Sequence, residues 1–254
     1  PMRWALPLLG PASRPNWLAN LMVDGDPDAT ARIVLDFQRA GRIGLDEAVL
    51  AGSKSIHQLE TIIDMARGQG VRLLFTRLSA EQFGALREER KSLLDYDVVS
   101  ETAILGEPHA ASRPASVCII SAGATDARVS GEGARTLQYY GEAATLIDDV
   151  GVAGLWRLME RIDQIGQYPV VIAVAGMEAA MATVLGGLVQ SVIIAVPTST
   201  GYGVAEGGRT ALNGLLASCS PGLTVVNIDN GYGAACAAMR VLNALHGSAS
   251  DPGK

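Results

Sequence analysis

The sequence predicts an α/β protein, a doubly wound parallel sheet preceded by a small α+β domain. From residue 117 onward, short apolar runs alternate with helical patterns in five successive units. These runs are almost continuously Val, Ile and Ala, as in parallel strands that are covered on both faces. Right-handed crossovers between such strands place helices on both sides of the sheet. The 254 residues, 48% hydrophobic and 18% charged, suffice for one large or two small globular domains.

Composition and hydrophobic patterning divide the chain into four parts. Residues 1–30 are rich in Pro, Asn, Asp and Gly, and we interpret them as an irregular arm rather than a removed signal peptide, because prolines interrupt the apolar start. Residues 31–115 hold most of the charge and are predicted to form the small α+β domain and a linker at 107–116. Residues 116–247 form the α/β domain, and 248–254 a disordered tail.

Three helices and two strands are predicted for the small domain. A helix is predicted from residue 31, after Asp28 or Thr30 as N-cap, and another over 55–70. A strand follows at 71–79, and Ser79 with Gln82 three residues later forms the capping box of a helix over 79–94. Residues 96–105 read as one further strand.

Each apolar run of the α/β domain is followed by a helical pattern. The predicted strands are VCIISAG, ATLIDDV, VVIAVAG, VIIAVPT and LTVVNI, and the predicted helices lie near 130–141, 153–166, 178–189, 207–218 and 232–245. The uncharged stretch 179–205 is long enough to span a bilayer. Its glycines, polar residues and Pro197 indicate instead a buried helix followed by a buried strand, so no membrane partner is expected.

The composition argues against several functions. A net charge of −6 and 5% aromatic residues disfavour nucleic-acid binding, which needs basic surfaces and stacking platforms. Three cysteines without a CxxC motif disfavour a disulfide scaffold or a structural zinc site. This usage fits a reducing compartment, and we expect a cytoplasmic protein.

Residues after the strands are the candidate ligand-binding positions, because ligands of parallel α/β sheets bind beyond the carboxyl ends. After the first strand, Ser121, Gly123, Thr125 and Asp126 could form an anion or ribose site, or an ordinary turn with a cap; spacing alone leaves both open. Neither a dinucleotide-binding GxGxxG motif nor a Walker loop is present.

The other strand ends carry further polar groups. Asp148 and Asp149 follow the second strand and are more simply explained as helix caps, and Glu178 in a first helical turn is explained by the helix dipole. Segments 196–208 and 227–235 each contain Gly-Tyr-Gly, and their backbone amides could wrap phosphates.

Cys219 is the candidate nucleophile among the cysteines. Serines flank it and Pro-Gly follows, so exposure is expected, whereas Cys118 lies in a strand and Cys236 among helical alanines. A lone cysteine is more often structural than catalytic, and no histidine is placed to form a Cys-His pair.

Several segments in order resemble the LarB family, which begins assembly of the nickel-pincer nucleotide cofactor. They are DVGVAG, VAGMEAA, VPTST, GYG, GLLASCSPG and VVNIDNGYGAA, with a weaker match in DFQRAGRIGLDEAVLAGSKS. The C-terminal half also resembles the PurE aminoimidazole ribonucleotide carboxylases and mutases, whose nucleotide-binding Ser-x-Ser-Asp corresponds to Ala124-Thr125-Asp126. A PurE-like catalytic domain is therefore expected at 116–247.

The resemblance implies an activity. LarB enzymes carboxylate the pyridinium ring of nicotinic acid adenine dinucleotide and split its phosphoanhydride, using magnesium, to give a biscarboxylated mononucleotide and AMP. Cys219 falls on the family's nucleophile position, Glu178 is expected to be a second catalytic residue, and a homo-oligomer, an octamer, is expected. The general base is not identified. The metal ligands are not identified. The substrate-binding residues expected from the strand ends and the resemblance are Ser121, Gly123, Thr125, Asp126, Asp149, Gly176, Met177, Pro197, Thr198, Ser199, Gly201, Tyr202, Gly203, Asp229, Asn230 and Gly231. Thr125, Asp126 and the turn 201–203 should line one pocket with Cys219, within one chain or between subunits.

The chain also departs from the LarB pattern. Phe37 and Gln38 stand where a His-His pair is usual, Trp156 where His is usual, and Glu206 where Phe is usual. A relative acting on another pyridinium nucleotide therefore remains an alternative. A PurE-type mechanism is a second, although Ala180 stands where the PurE histidine would fall, and a non-catalytic nucleotide sensor is a third.

Overall fold

The computed structural model describes residues 33–110 and 114–247. The expected arm at 1–30, the N-caps Asp28 and Thr30 and the expected tail at 248–254 lie outside these residues, as does 111–113 of the linker. The described residues from Leu35 onward form one compact unit, so the small domain and the α/β domain are described together.

The small domain is built on a four-stranded mixed sheet of order β1-β2-β4-β3. β1 and β2 are parallel, and the other two pairings are antiparallel. Its elements are α1 (Arg39–Ile43), β1 (Ala48–Leu50), α2 (Ile56–Gly68), β2 (Leu73–Thr76), α3 (Ala80–Ala85), α4 (Glu88–Lys91), β3 (Leu94–Asp97) and β4 (Thr102–Leu105).

Three predictions for this domain are wrong in detail. Within the described residues, the first helix begins at Arg39, after a turn in which the Arg39 amide donates to the Asp36 carbonyl. The strand expected over 96–105 is a hairpin, because the Asp97 carboxylate accepts bonds from the Ser100 amide and hydroxyl and so closes a turn.

The helix expected over 79–94 is also interrupted. The predicted capping box of Ser79 and Gln82 is present and starts α3. The chain becomes extended at Leu86, which is buried, and at Arg87, whose amide and guanidinium both bind Glu60. These hydrogen bonds to Glu60 of α2 hold the extended residues that separate α3 from α4.

The α/β domain contains the predicted parallel sheet, confirmed as five strands of order β6-β5-β7-β8-β9. Its elements are β5 (Val117–Ser121), α5 (Ala127–Tyr139), β6 (Ala144–Ile147), α6 (Leu155–Met159), α7 (Ile162–Ile165), β7 (Val170–Ala175), α8 (Ala180–Gly186), β8 (Val192–Pro197), α9 (Arg209–Leu216), β9 (Thr224–Val225) and α10 (Gly231–Gly247). The predicted helix near 153–166 is therefore two short helices, and the last strand keeps only two paired residues.

Side chains from the two faces of the sheet form two cores. Alternate residues of β5 and β7 pack with α5 and α10 on one face, and the intervening residues pack with α6 to α9 on the other. The uncharged stretch 179–205 accordingly forms α8 and the buried strand β8, as predicted. No helix among the described residues is long and apolar enough to cross a membrane.

The small domain packs its sheet onto α5. Tyr139 of α5 is fully buried against Leu74 and Ile104. Its hydroxyl donates to Asp46 Oδ2 at 3.0 Å, and the Arg72 guanidinium lies 5.5 Å from its ring centroid. This packing brings the end of β2 close to the carboxyl edge of the large sheet, where the ligand-binding loops lie.

Candidate active site

A cleft of about 330 Å³ opens at the point where the strand order reverses, between the carboxyl ends of β5 and β7. Doubly wound sheets bind ligands at this position. The cleft is lined by three strand-end loops and one residue from a fourth, namely Ala122, Gly123, Thr125, Asp126, Gly151, Val152, Ala153, Ala175, Gly176, Met177, Glu178, Ala179, Ala180, Met181 and Thr200.

Asp126 lies at the centre of this arrangement. It is 2% exposed, and its Oδ1 accepts the Thr198 hydroxyl at 2.7 Å while its Oδ2 accepts the Gly123 amide at 3.1 Å. Burial raises the pKa of Asp126, and the nearby Asp229 carboxylate adds to this rise, although the hydrogen bonds oppose it. The arrangement holds a carboxyl group that retains its proton more readily than an exposed aspartate.

The loop after β7 approaches the loop after β8 very closely. A Cβ added to Gly176 would lie 2.2 Å from the Thr200 carbonyl oxygen, so only glycine fits there. The Met177 amide donates to this same oxygen at 2.9 Å, and both Met177 and Ala179 are held at positive φ. Glu178, which is expected to be catalytic, stands between these two residues, exposed and at the wall of the cleft.

Ser121 links the loops after β5 and β6. Its buried hydroxyl donates to Asp148 Oδ1 at 2.8 Å and accepts the Asp149 amide at 3.4 Å. Asp149 itself pairs with Arg157 and does not line the cleft, so an ion pair accounts for its carboxylate. It faces an adjoining cavity of about 440 Å³ whose lining includes Trp156.

The loops after β8 and β9 are joined by Asp229. Its carboxylate accepts the Ser199 amide at 2.8 Å, its amide donates to the Pro197 carbonyl, and its φ is positive. Asn230 accepts the Gly233 amide at 2.8 Å at the start of α10. Gly231 is required by packing, because an added Cβ would lie 2.2 Å from the Val129 carbonyl oxygen of α5.

The segment around the first Gly-Tyr-Gly lies apart from the cleft lining. Tyr202 is 78% exposed, and in the part of the chain that the structure describes the cleft includes Thr200 but none of 201–203. Glu206 is exposed in the same loop, and Trp156 is 64% exposed.

Cys219 is exposed, as predicted, but a single chain does not bring it to the cleft. It lies between the end of α9 and the start of β9, on the side where the strands begin. Its neighbours confirm this placement, because Ser218 bonds Thr183 at 2.8 Å and Ser220 lies against Gly186 at the end of α8.

The other cysteines are unsuited to nucleophilic chemistry. Cys118 is fully buried in β5, and burial raises the pKa of its thiol to about 12. Cys236 is half-buried in α10, and burial raises its pKa as well. A nucleophilic thiol must be accessible to its substrate, so the exposed Cys219 is the best candidate of the three.

Two arginines at this edge were not identified from the sequence. The Arg77 guanidinium donates to the Asp229 carbonyl at 2.9 Å, and Arg128 Nη2 lies 3.3 Å from Asp229 Oδ2. No motif marks either residue. The available signal was positional, since Arg77 follows a strand and Arg128 follows the Thr125-Asp126 turn.

No group of three or more His, Cys, Asp or Glu side chains within the described ranges could hold a metal ion. A cage made only of protein ligands is therefore not formed by those residues. Magnesium commonly binds through one or two carboxylates together with substrate phosphates, and the carboxylates of this edge fit that mode.

Comparison with known proteins defines the class to which this fold and cleft belong. The family described as AIR carboxylase matches residues 116–251, which makes the α/β domain a member of the PurE-like carboxylase class. The family described as LarB/PurE-like N-terminal domain matches residues 29–107. The chain therefore belongs to the LarB family, with a PurE-like C-terminal domain. It is 35% identical over 225 residues to an uncharacterized protein of Methanocaldococcus jannaschii, covering 85% of this chain and 86% of the relative.

Proposed function

We propose that this protein carboxylates the pyridinium ring of nicotinic acid adenine dinucleotide and releases AMP, giving a pyridinium biscarboxylic acid mononucleotide for nickel-pincer cofactor assembly. The observation that carries the proposal is the cleft at the strand-order reversal, which combines Asp126 with Glu178 in a chain of the LarB family. The fold supports a carboxylase-type enzyme, and the exposed Cys219 supplies the nucleophile that the chemistry needs.

The reaction requires a thiolate because a pyridinium ring is electron-poor and does not attack CO2. The Cys219 sulfur adds to the ring carbon para to nitrogen, and the ring electrons move onto nitrogen to give a dihydropyridine enamine. Its free meta carbon attacks CO2, Glu178 takes the proton from that carbon, and expulsion of the thiolate restores the aromatic ring. Water cleaves the phosphoanhydride, so AMP leaves with one phosphate and the product keeps the other.

The cleft residues have separate roles in this proposal. The Gly123 and Thr125 turn and the start of α5 bind substrate anions, since amides at a helix N-terminus favour negative charge. The Thr198 hydroxyl fixes the orientation of Asp126, which is buried beside the substrate position. Asp229 and Ser199 hold the neighbouring loop by a bond of 2.8 Å.

The thiol has to come from a second copy of the chain. Within one chain Cys219 follows α9 and lies toward the side where the strands begin, whereas the cleft lies at their carboxyl ends. In a homo-oligomer such as the expected octamer, Cys219 of one subunit would reach the cleft of another subunit.

Magnesium would neutralise the phosphates of the substrate. We assign the role of metal ligand to Asp229, one or two carboxylates being sufficient when phosphate oxygens fill the other positions. We propose that the protein acts in the cytoplasm on a pyridinium dinucleotide and CO2, and that it binds neither nucleic acid nor a membrane.

Two alternatives concern the substrate. A PurE-like carboxylase or mutase acting on an aminoimidazole nucleotide is disfavoured by Ala180 and by the absence of any histidine from 110 to 245 of the sequence. A relative that accepts another pyridinium nucleotide is favoured by the exposure of Trp156 and Glu206, which differ from the usual family residues. A nucleotide sensor would bind substrate without turnover.

Mass spectrometry of the intact protein tests the proposal. Mixing with nicotinic acid adenine dinucleotide should give an adduct that maps to Cys219, and bicarbonate with magnesium should convert it to carboxylated product and AMP. Cys219→Ser should abolish both, because a hydroxyl is a far weaker nucleophile near neutral pH. Cys236→Ser is the matched control and should retain both. Full turnover by Cys219→Ser would refute the covalent mechanism, and turnover of an aminoimidazole nucleotide would favour the PurE-like alternative.

A further inference from the structure

A second pocket lies beside the cleft, between the small domain and the first turn of α5. Its volume is about 530 Å³, within the range of small-molecule sites. Arg77, Ser79 and Glu101 line it from the small domain, and Arg128 lines it from α5. The segment 123–128 contributes to both, because Thr125 and Asp126 line the cleft and Arg128 lines this pocket.

Two guanidinium groups from different domains converge in this pocket. Arg77 donates to the Asp229 carbonyl at 2.9 Å, and Arg128 pairs with the Asp229 carboxylate at 3.3 Å. A guanidinium has five N–H donors, so each arginine retains donors beyond its bond to Asp229. The remaining donors belong to side chains that line the pocket.

Three charged residues of the small domain line this pocket, Arg77, Glu81 and Glu101, and two of them have an unfavourable backbone conformation. Arg77 has φ 55° and Glu101 has φ 53°, a left-handed region that residues other than glycine rarely adopt. The Leu78 amide donates to the Glu101 carbonyl at 2.8 Å, which fixes the two residues side by side. Strained residues of this kind cluster at ligand-binding sites.

We propose that this pocket is the subsite for the half of the dinucleotide that leaves as AMP, with the phosphate on Arg77 and Arg128 and the ribose hydroxyls on Glu101. Guanidinium groups bind phosphate through paired N–H donors, and a carboxylate accepts bonds from ribose hydroxyls. A site for phosphate alone would need only the two arginines, whereas Glu101 adds an acceptor for the ribose hydroxyls of a nucleotide. This inference rests on the proposed function, and it gives the small domain a direct part in substrate binding.

Calorimetric titration with AMP, without CO2 or magnesium, tests the subsite. Arg128→Gln should weaken AMP binding at least tenfold, and Arg77→Lys should weaken it less because it keeps the charge but loses the planar fork. Glu101→Gln should weaken binding of AMP but leave binding of inorganic pyrophosphate unchanged. Arg161→Gln, an exposed arginine beyond this pocket, is the matched control and should bind AMP like the unmodified protein.

The outcomes separate this inference from the proposed function. If Arg128→Gln and Arg77→Lys both bind AMP within twofold of the unmodified protein, or if the unmodified protein shows no AMP binding at millimolar concentration, the subsite is refuted even where carboxylation proceeds. If AMP binding depends on these arginines while no pyridinium substrate is carboxylated, the subsite stands and the proposed function fails. Melting temperatures of all variants are measured alongside, and Arg128→Lys replaces Arg128→Gln if the latter does not fold.

Discussion

Replacing Glu132 should reveal how α10 is fixed at its start. Glu132 belongs to α5 and is 2% exposed, and its Oε2 accepts the Tyr232 amide at 3.1 Å in the first turn of α10. Glu132→Ala removes this acceptor, which costs about 1–3 kcal/mol for an amide left without a partner. This cost corresponds to a fall in melting temperature of roughly 2–12 °C for a chain of this length.

Glu132→Gln provides the comparison, because it keeps an acceptor oxygen and the side-chain volume. Burial raises the pKa of Glu132 above its ordinary value of 4.5, so the charged form is disfavoured and a neutral substitute should cost less than alanine. Thermal and urea unfolding at pH 7 measure both variants. Equal losses for alanine and glutamine would show that the hydrogen bond to α10 contributes nothing measurable.

The same carboxyl group predicts a pH dependence. A carboxyl whose folded pKa is raised contributes stability that is complete below its unfolded pKa and is lost as the pH rises through the folded pKa. The unmodified protein should therefore gain stability relative to Glu132→Gln as the pH falls from 8 toward about 4.5. A difference in the free energy of unfolding that is constant over this range would contradict the assigned shift.

Three further changes test the cleft and its entrance. Gly176→Ala should lower stability by about 1–3 kcal/mol and reduce turnover, since its Cβ would lie 2.2 Å from a facing carbonyl oxygen, whereas Gly187→Ala, with its nearest atom at 3.6 Å, should be tolerated in urea unfolding. Thr198→Val removes a donor that lowers the pKa of Asp126, so any acid limb that Asp126 contributes to the pH profile of kcat/KM should move to higher pH; an unmoved profile excludes Asp126 as its source. Glu206→Phe removes a negative charge and should shift the ratio of kcat/KM toward the acid dinucleotide over its amide, and an unchanged ratio would show that this residue does not set substrate choice.

The parallel sheet was predictable because its signal is local and repeated, with near-continuous apolar strands followed by helices. The interruptions were not, because each depends on a distant partner. Arg87 leaves the helix to bind Glu60, 27 residues away, and no spacing rule predicts that. The hairpin at Asp97 was missed for another reason, since its turn closes through side-chain bonds within an apolar stretch.

The candidate site was predictable to the extent that strand ends share an edge. Asp126, Gly176 and Glu178 lie in one cleft for that reason. The same rule fails for Cys219, because it precedes a strand instead of following one, and its relation to the cleft depends on other copies. Arg77 was missed because its contact with Asp229 spans 152 residues and crosses a domain boundary.

The packing of the small domain on α5 means that the two domains are held together by more than the peptide that connects them. The buried Tyr139 side chain packs against the sheet of the small domain, and the Arg77 guanidinium donates to the Asp229 carbonyl. Neither contact requires that the two domains be joined in one continuous chain. Linking two binding partners covalently supplies an effective concentration on the order of millimolar. Two fragments divided after Glu107 should therefore reassociate when co-expressed, and the recovered activity would report the affinity of one half for the other.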